Sequence, residues 1–155
     1  MKLTDILDPG CIRIPLQSTD KTGAITELVD LLHKSGQLNN RDDVLKAVLA
    51  RERMRSTAIG HGLAVPHGKC AGCSKLVMAL GKPADPIDFG GRDGKPASVI
   101  ALLASPPSET GPHIQALARI SRLMLRESFR VALARAYTAE EAFELINSQD
   151  NESDK

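Results

Sequence analysis

Residues 97–105 read ASVIALLAS, a run whose only polar positions are its two serines. A strand this apolar has no face to give to water, so it belongs in the middle of a sheet covered on both sides. That requirement asks for helical layers, and the rest of the chain supplies them. KLVMALG (75–81) reads as a second strand, and CIRIPL (11–16) alternates like a third. In STDKTGAITELVDLLHKSGQL, Ile25, Leu28, Val29 and Leu32 share one helical face. Ser18 to Asp20 offer a cap there, and Gly36 a stop. NNRDDVLKAVLARERM repeats the plan, with Asn40 as N-cap and Val44, Leu45, Val48 and Leu49 facing inward. Arg51 and Glu52 lie at the exit of this second helix. In PPSETGPHIQALARISRLML, Pro112 suits a first turn, and Ile114, Leu117, Ser121 and Met124 follow helical spacing. Two shorter helices close the domain: one from Ser128 to Arg135, and one capped by Thr138 with Glu141 in capping-box register. No regular βαβ repeat is present. The expected architecture is one α/β (α+β) domain over residues 1–147, a mixed sheet covered by helices. Residues 148–155 are expected to be a loose polar tail.

Composition narrows the function classes. With 42% hydrophobic and 25% charged residues among 155, the chain can bury one ordinary core. Lys plus Arg (20) nearly cancels Asp plus Glu (19), and there is no Trp, one Tyr and three Phe. A nucleic-acid binder needs a basic surplus and stacking aromatics, so that class is disfavoured. No apolar run approaches the roughly 20 residues that span a bilayer. MKLTDILDPG has neither the apolar core nor the cleavage site of a signal peptide, so a cytoplasmic protein without membrane insertion is expected. Three cysteines in a reducing compartment argue against a disulfide framework.

The chemistry gathers in STAIGHGLAVPHGKCAGC (56–73). Its glycines exclude a helix. Two short extended pieces, near Thr57 to Ile59 and Leu63 to Val65, are expected to meet at a His61-Gly62 turn. Cys70 and Cys73 form a C-x-x-C, but only Cys11 and distant histidines remain to complete a four-ligand zinc site. A redox C-x-x-C would sit on a strand-to-helix turn, whereas here a strand follows. Incidental small residues are the better account, and neither metal nor cofactor is expected.

Four histidines remain to be weighed: His33, His61, His67 and His113. His67 is the one with unusual neighbours. Pro66 fixes a backbone angle and lacks an N–H, while Gly68 leaves room for a large group to approach. An imidazole with one nitrogen engaged by a carbonyl presents the other as an unprotonated nucleophile, able to take an acyl or phosphoryl group. His113 falls in the first turn of its helix, where N–H groups favour an anion and disfavour an imidazolium. Taken alone it reads as an exposed first-turn residue, and Arg51 alone as a helix-end cation. His33 reads as surface, and His61 as a turn residue beside the same cleft.

RERMRSTAIGHGLAVPHGK (51–69) closely resembles the active-site signature of the enzyme IIA proteins of the bacterial phosphoenolpyruvate-dependent phosphotransferase system, of mannitol/fructose/nitrogen-regulatory type. The shared features are an Arg-Glu pair ending a helix, a Ser-Thr, a Gly-x-Gly turn and a Pro-His-Gly. A later histidine, His113, opens a helix with H-I-Q-x-L. The likeness runs from the N-terminal segment to about Asn147, and several motifs agree in order and spacing. It implies a mixed sheet of about five strands with helices on both faces. It implies that His67 becomes a tele-phosphohistidine, charged by the carrier protein HPr or its nitrogen-branch counterpart. His113 would then orient or hydrogen-bond the phosphoryl group, and Arg51 would neutralise its oxygens, a task that suits a planar guanidinium. Ser56, Thr57, His61 and Gly68 stand at the site's edge. His61 departs from the polar residue, often Asn, that the family tends to place in that turn.

No IIB-like cysteine module or membrane domain is evident in the sequence. The resemblance leans toward the nitrogen-regulatory form, whose phosphorylation state is read by transporters and kinases. A sugar-transport role, with phosphate passed to a fructose or mannitol IIB, is the alternative. A docking module that takes no phosphate is a third reading, from a different class.

Overall fold

The computed structural model describes the backbone of residues 1–152 and the side chains of residues 1–150. At its centre β6 (Val99–Ser105) is buried along its whole length, as its unbroken apolar sequence demands. β5 (Val77–Pro83) runs antiparallel along one edge of it, with Val77 opposite Ala104 and Gly81 opposite Ile100. β1 (Ile12–Leu16) pairs parallel to β5 and forms one margin of the sheet. Two short strands share the other edge of β6, both parallel to it: β3 (Leu63–Ala64) and β4 (His67–Lys69). β2 (Ala58–Gly60) folds back antiparallel on β3. His61 (φ 55°) and Gly62 (φ 75°) make the connecting turn, the pair of left-handed residues that a tight hairpin requires. The expected five-strand path is present, and β4 is a sixth strand beside it. His-Gly-Lys has no strand propensity of its own; pairing with β6 makes it a strand.

The helices start where the sequence caps them. Asp20 accepts from the Gly23 N–H at 2.7 Å and opens α1 (Lys21–Lys34). Asn40 accepts from the Asp43 N–H at 3.1 Å and opens α2 (Arg41–Met54). Thr138 and Glu141 exchange hydrogen bonds of 3.1 and 3.2 Å at the start of α5 (Ala139–Glu152). Between these lie α3 (Thr110–Leu125) and α4 (Glu127–Ala134). α1 packs on α2 and over β5, and α2 covers β4. α3, α4 and α5 pack on one another, with α3 reaching β6 and α5 reaching β1. Helices therefore flank the mixed sheet on both faces.

Two local expectations are corrected. α3 buries His113, Ala116, Ile120, Leu123 and Met124, whereas Ile114 is exposed. The series Ile114, Leu117, Ser121 and Met124 is also helically spaced, but only Met124 of it is buried, and the polar name of residue 113 concealed the inward face. The stretch expected to be a loose tail is helical through Glu152, while residues 153–155 lie outside the described residues. Asp150 explains the extension. It is 1% exposed, accepts from the Leu3 N–H at 2.7 Å and pairs with Arg119 at 2.8 Å. One carboxylate thus ties α5 to α3 and to the N-terminal turn. Asp150→Ala should lower unfolding stability by about 3 kcal/mol, because it leaves buried donors without that acceptor. Urea titration with an unchanged m-value is the check.

Candidate functional site

Side chains alternate along a strand, so His67 and Lys69 share one face of β4 and Gly68 points to the other. That second face is pressed against α2. A Cβ on Gly68 would stand 2.9 Å from the Val48 nitrogen and 3.0 Å from the Ala47 carbonyl carbon. The expectation that Gly68 makes room for an incoming group is therefore corrected: it makes room for a helix. Arg51 lies one turn beyond Ala47, so the close approach fixes the helix end that carries it relative to His67.

Pro66 has no N–H, and its carbonyl accepts from the Leu103 N–H at 3.0 Å. The preceding carbonyl, of Val65, lies 2.8 Å from His67 Nδ1. A carbonyl can only accept, so Nδ1 carries the proton and Nε2 keeps its lone pair. Nε2 has no hydrogen bond among the described residues, and the half-buried ring lines a cleft of about 920 Å³. Burial lowers the His67 pKa, and the Arg51 and Lys69 charges lower it further, against the opposing effects of the Val65 bond and Glu52. The ring is neutral at physiological pH. Arg51, Arg55 and Arg92 line the same cleft, and Arg51 is steadied by a 2.9 Å bond from Nη1 to the Arg55 carbonyl.

His113 is not the exposed residue its position suggested. It is 2% exposed, and its ring sits edge-to-face on His67, with centroids 5.3 Å apart and planes at 70°. Its Nδ1 lies 2.7 Å from the Ser105 hydroxyl, and its buried Nε2 has no partner among the described residues. Burial first, then the proximity of His67 and Lys69, push its pKa down to about 4. The structure thus brings Arg51, His67 and His113 together.

The other candidates fare differently. Ser56 and Thr57 line the cleft, but their hydroxyls are committed to its wall. Ser56 donates to the Phe89 carbonyl and accepts from the Ala58 N–H at 3.1 Å. Thr57 donates to Glu52 at 2.6 Å, and Lys21 pairs with the same buried carboxylate at 3.2 Å. His61 sits exposed at the tip of the β2–β3 turn and does not line the cleft. Lys69, Ser105, Arg55 and Arg92 escaped the sequence reading. Period-two spacing from His67 would have found Lys69 had β4 been read as a strand. Cys11 and Cys73 are buried and Cys70 is half-buried, all three free. Among the described residues no three of His, Cys, Asp and Glu are grouped to hold a metal ion.

Residues 5–149 match the family described as "Phosphoenolpyruvate-dependent sugar phosphotransferase system, EIIA 2". The chain belongs to this family. The EIIA chain is 35% identical over 150 residues to the PTS system fructose-specific EIIABC component of Bacillus subtilis, matching 97% of its own length but only 24% of that longer protein. It is 31% identical over 148 residues to the nitrogen regulatory protein of Bradyrhizobium diazoefficiens, covering 94% of this chain and 95% of the other. Among solved structures it resembles the nitrogen regulatory protein IIA-Ntr of Neisseria meningitidis, with a TM-score of 0.84 and 31% identity over 92% of this chain and 97% of that one. No described helix of this EIIA is long and apolar enough to cross a membrane.

The depressed His113 pKa gives a signed prediction. The unfolded imidazole titrates near 6.5 and the folded one near 4, so the unfolded chain binds the proton better between those values. Stability attributable to this group is full above pH 6.5 and is lost as the pH falls toward 4, by about 3 kcal/mol. The difference in unfolding free energy between the wild type and His113→Gln, followed across that window, should shrink by this amount.

Proposed function

We propose that this EIIA is a phosphohistidine carrier that takes a phosphoryl group from HPr, or from its nitrogen-branch counterpart, onto Nε2 of His67. The observation that carries the reading is the His67 ring itself: Nδ1 is tied to the Val65 carbonyl and Nε2 is bare in a cleft lined by arginines. The Nε2 lone pair attacks phosphorus, and the P–N bond of the donor phosphohistidine breaks with its electron pair returning to the donor ring. Each ring keeps a proton on its far nitrogen, so no proton need cross. Val65 stabilises the positive character that His67 gains. Arg51 pairs with the phosphoryl oxygens, and His113 hydrogen-bonds one of them. Such chemistry is chiefly positioning and charge stabilisation, and needs neither metal nor nucleotide when donor and acceptor are both imidazoles. Incubation with phosphorylated HPr should add the mass of one phosphoryl group to the wild type and none to His67→Ala. Arg51→Ala should slow the loading about a hundredfold. A wild type that gains no mass would leave only the docking-module reading.

The regulatory role is preferred, supported by the structural likeness to IIA-Ntr. The identity to a fructose-specific EIIABC component supports the second reading, transfer onward to a sugar IIB. Either role would be carried out in the cytoplasm. Phosphorylation adds nearly two negative charges to the cleft, so in the regulatory role a transporter or kinase should bind the two forms with different affinities. Titration calorimetry with both forms, beside a transfer assay to a fructose-type IIB, separates the two. Equal affinities with rapid transfer would favour the sugar role.

A further inference from the structure

Ser105 ends β6 fully buried, with its hydroxyl 2.7 Å from His113 Nδ1. Its backbone is locked by the strand that carries His67. Lys69 is its register partner on β4, and the Cys70 N–H donates to its carbonyl at 3.0 Å. A hydroxyl and a ring nitrogen can share a proton in either direction, and the two directions give different sites. If Nδ1–H donated, the hydroxyl proton would be buried with no acceptor among the described residues, and Nε2 would present an unpaired lone pair. If the hydroxyl donates, its proton is satisfied, Nδ1 accepts, and the ring proton sits on Nε2. Buried polar groups without partners are unfavourable, which selects the second arrangement.

Accepting the reading of His67 as the phosphoryl acceptor, we propose that Ser105 is a positioning residue. It holds His113 in the Nε2–H tautomer, so that this imidazole meets the phosphoryl group on His67 as a neutral hydrogen-bond donor. A lone pair at that place would repel the anionic oxygens that an N–H attracts. The paired rings then carry opposite tautomers: Nδ1–H at His67, set by a carbonyl, and Nε2–H at His113, set by a hydroxyl. The same pairing accounts for a buried Nε2 with no partner among the described residues. A phosphoryl oxygen on the neighbouring ring, 5.3 Å away between centroids, is the acceptor it lacks.

Nitrogen-15 NMR of the unphosphorylated protein at neutral pH reads both tautomers directly, since protonated and bare ring nitrogens resonate far apart. His113 should be protonated on Nε2 and His67 on Nδ1. Ser105→Ala should leave His113 as a mixture of tautomers and slow the loading of His67 about tenfold, from phosphorylated HPr and from phosphoramidate alike. A wild-type His113 protonated on Nδ1 overturns the proposal, whether or not the variant folds. So does a folded Ser105→Ala protein with unchanged tautomer and unchanged rate. The expected tautomers in a protein that neither donor can load would support the assignment of Ser105 and overturn the carrier reading instead.

Discussion

The hydrogen bond from His67 Nδ1 to the Val65 carbonyl decides which ring nitrogen faces the cleft, and the site's chemistry follows from that choice. A free imidazole interchanges its tautomers; this one cannot without losing a 2.8 Å bond to a group able only to accept. Pro66 makes the arrangement possible. The chain steps through a residue without an N–H, so Val65 can turn its carbonyl to the ring while the Pro66 carbonyl keeps the ladder to Leu103.

β6 is the frame on which the rest is registered. Its edge sets His67 opposite Leu103 and Lys69 opposite Ser105, so one strand pair indexes the His67 ring and the residue bonded to the His113 ring. α2 meets β4 at Gly68, closely enough that no side chain fits between them. The helix ending at Met54 therefore delivers Arg51 to the cleft, and buried Glu52 beside it anchors Thr57 and Lys21. The geometry of the cleft is thus set by rigid elements, which suits the proposed phosphoryl transfer, a reaction governed by positioning.

Much of this was legible in the sequence because it was written in local signals. The apolar run at 97–105 announced the central strand, Asn40, Asp20 and Thr138 announced their helices, and His61-Gly62 announced the turn. The motif around Pro66-His67-Gly68 announced the family and singled out the ring proposed here as the acceptor. What escaped depends on tertiary contact. β4 is a strand only because β6 is beside it. His113 looked exposed because a polar residue in a first turn usually is, and its burial depends on the neighbouring His67 and Ser105. Gly68 read as an opening when it is a contact. Asp150 looked like part of a solvated tail, although its partners Leu3 and Arg119 lie far away in sequence.

The claim at the centre of this account is that the reactive atom is Nε2 of His67. Phosphorus–nitrogen coupling in the NMR spectrum of the phosphorylated, nitrogen-15-labelled protein identifies the bonded nitrogen without inference. The account predicts coupling to Nε2 of His67, with Nδ1 still protonated and hydrogen-bonded. Coupling to Nδ1 of that ring, or to any nitrogen of His33, His61 or His113, would contradict it.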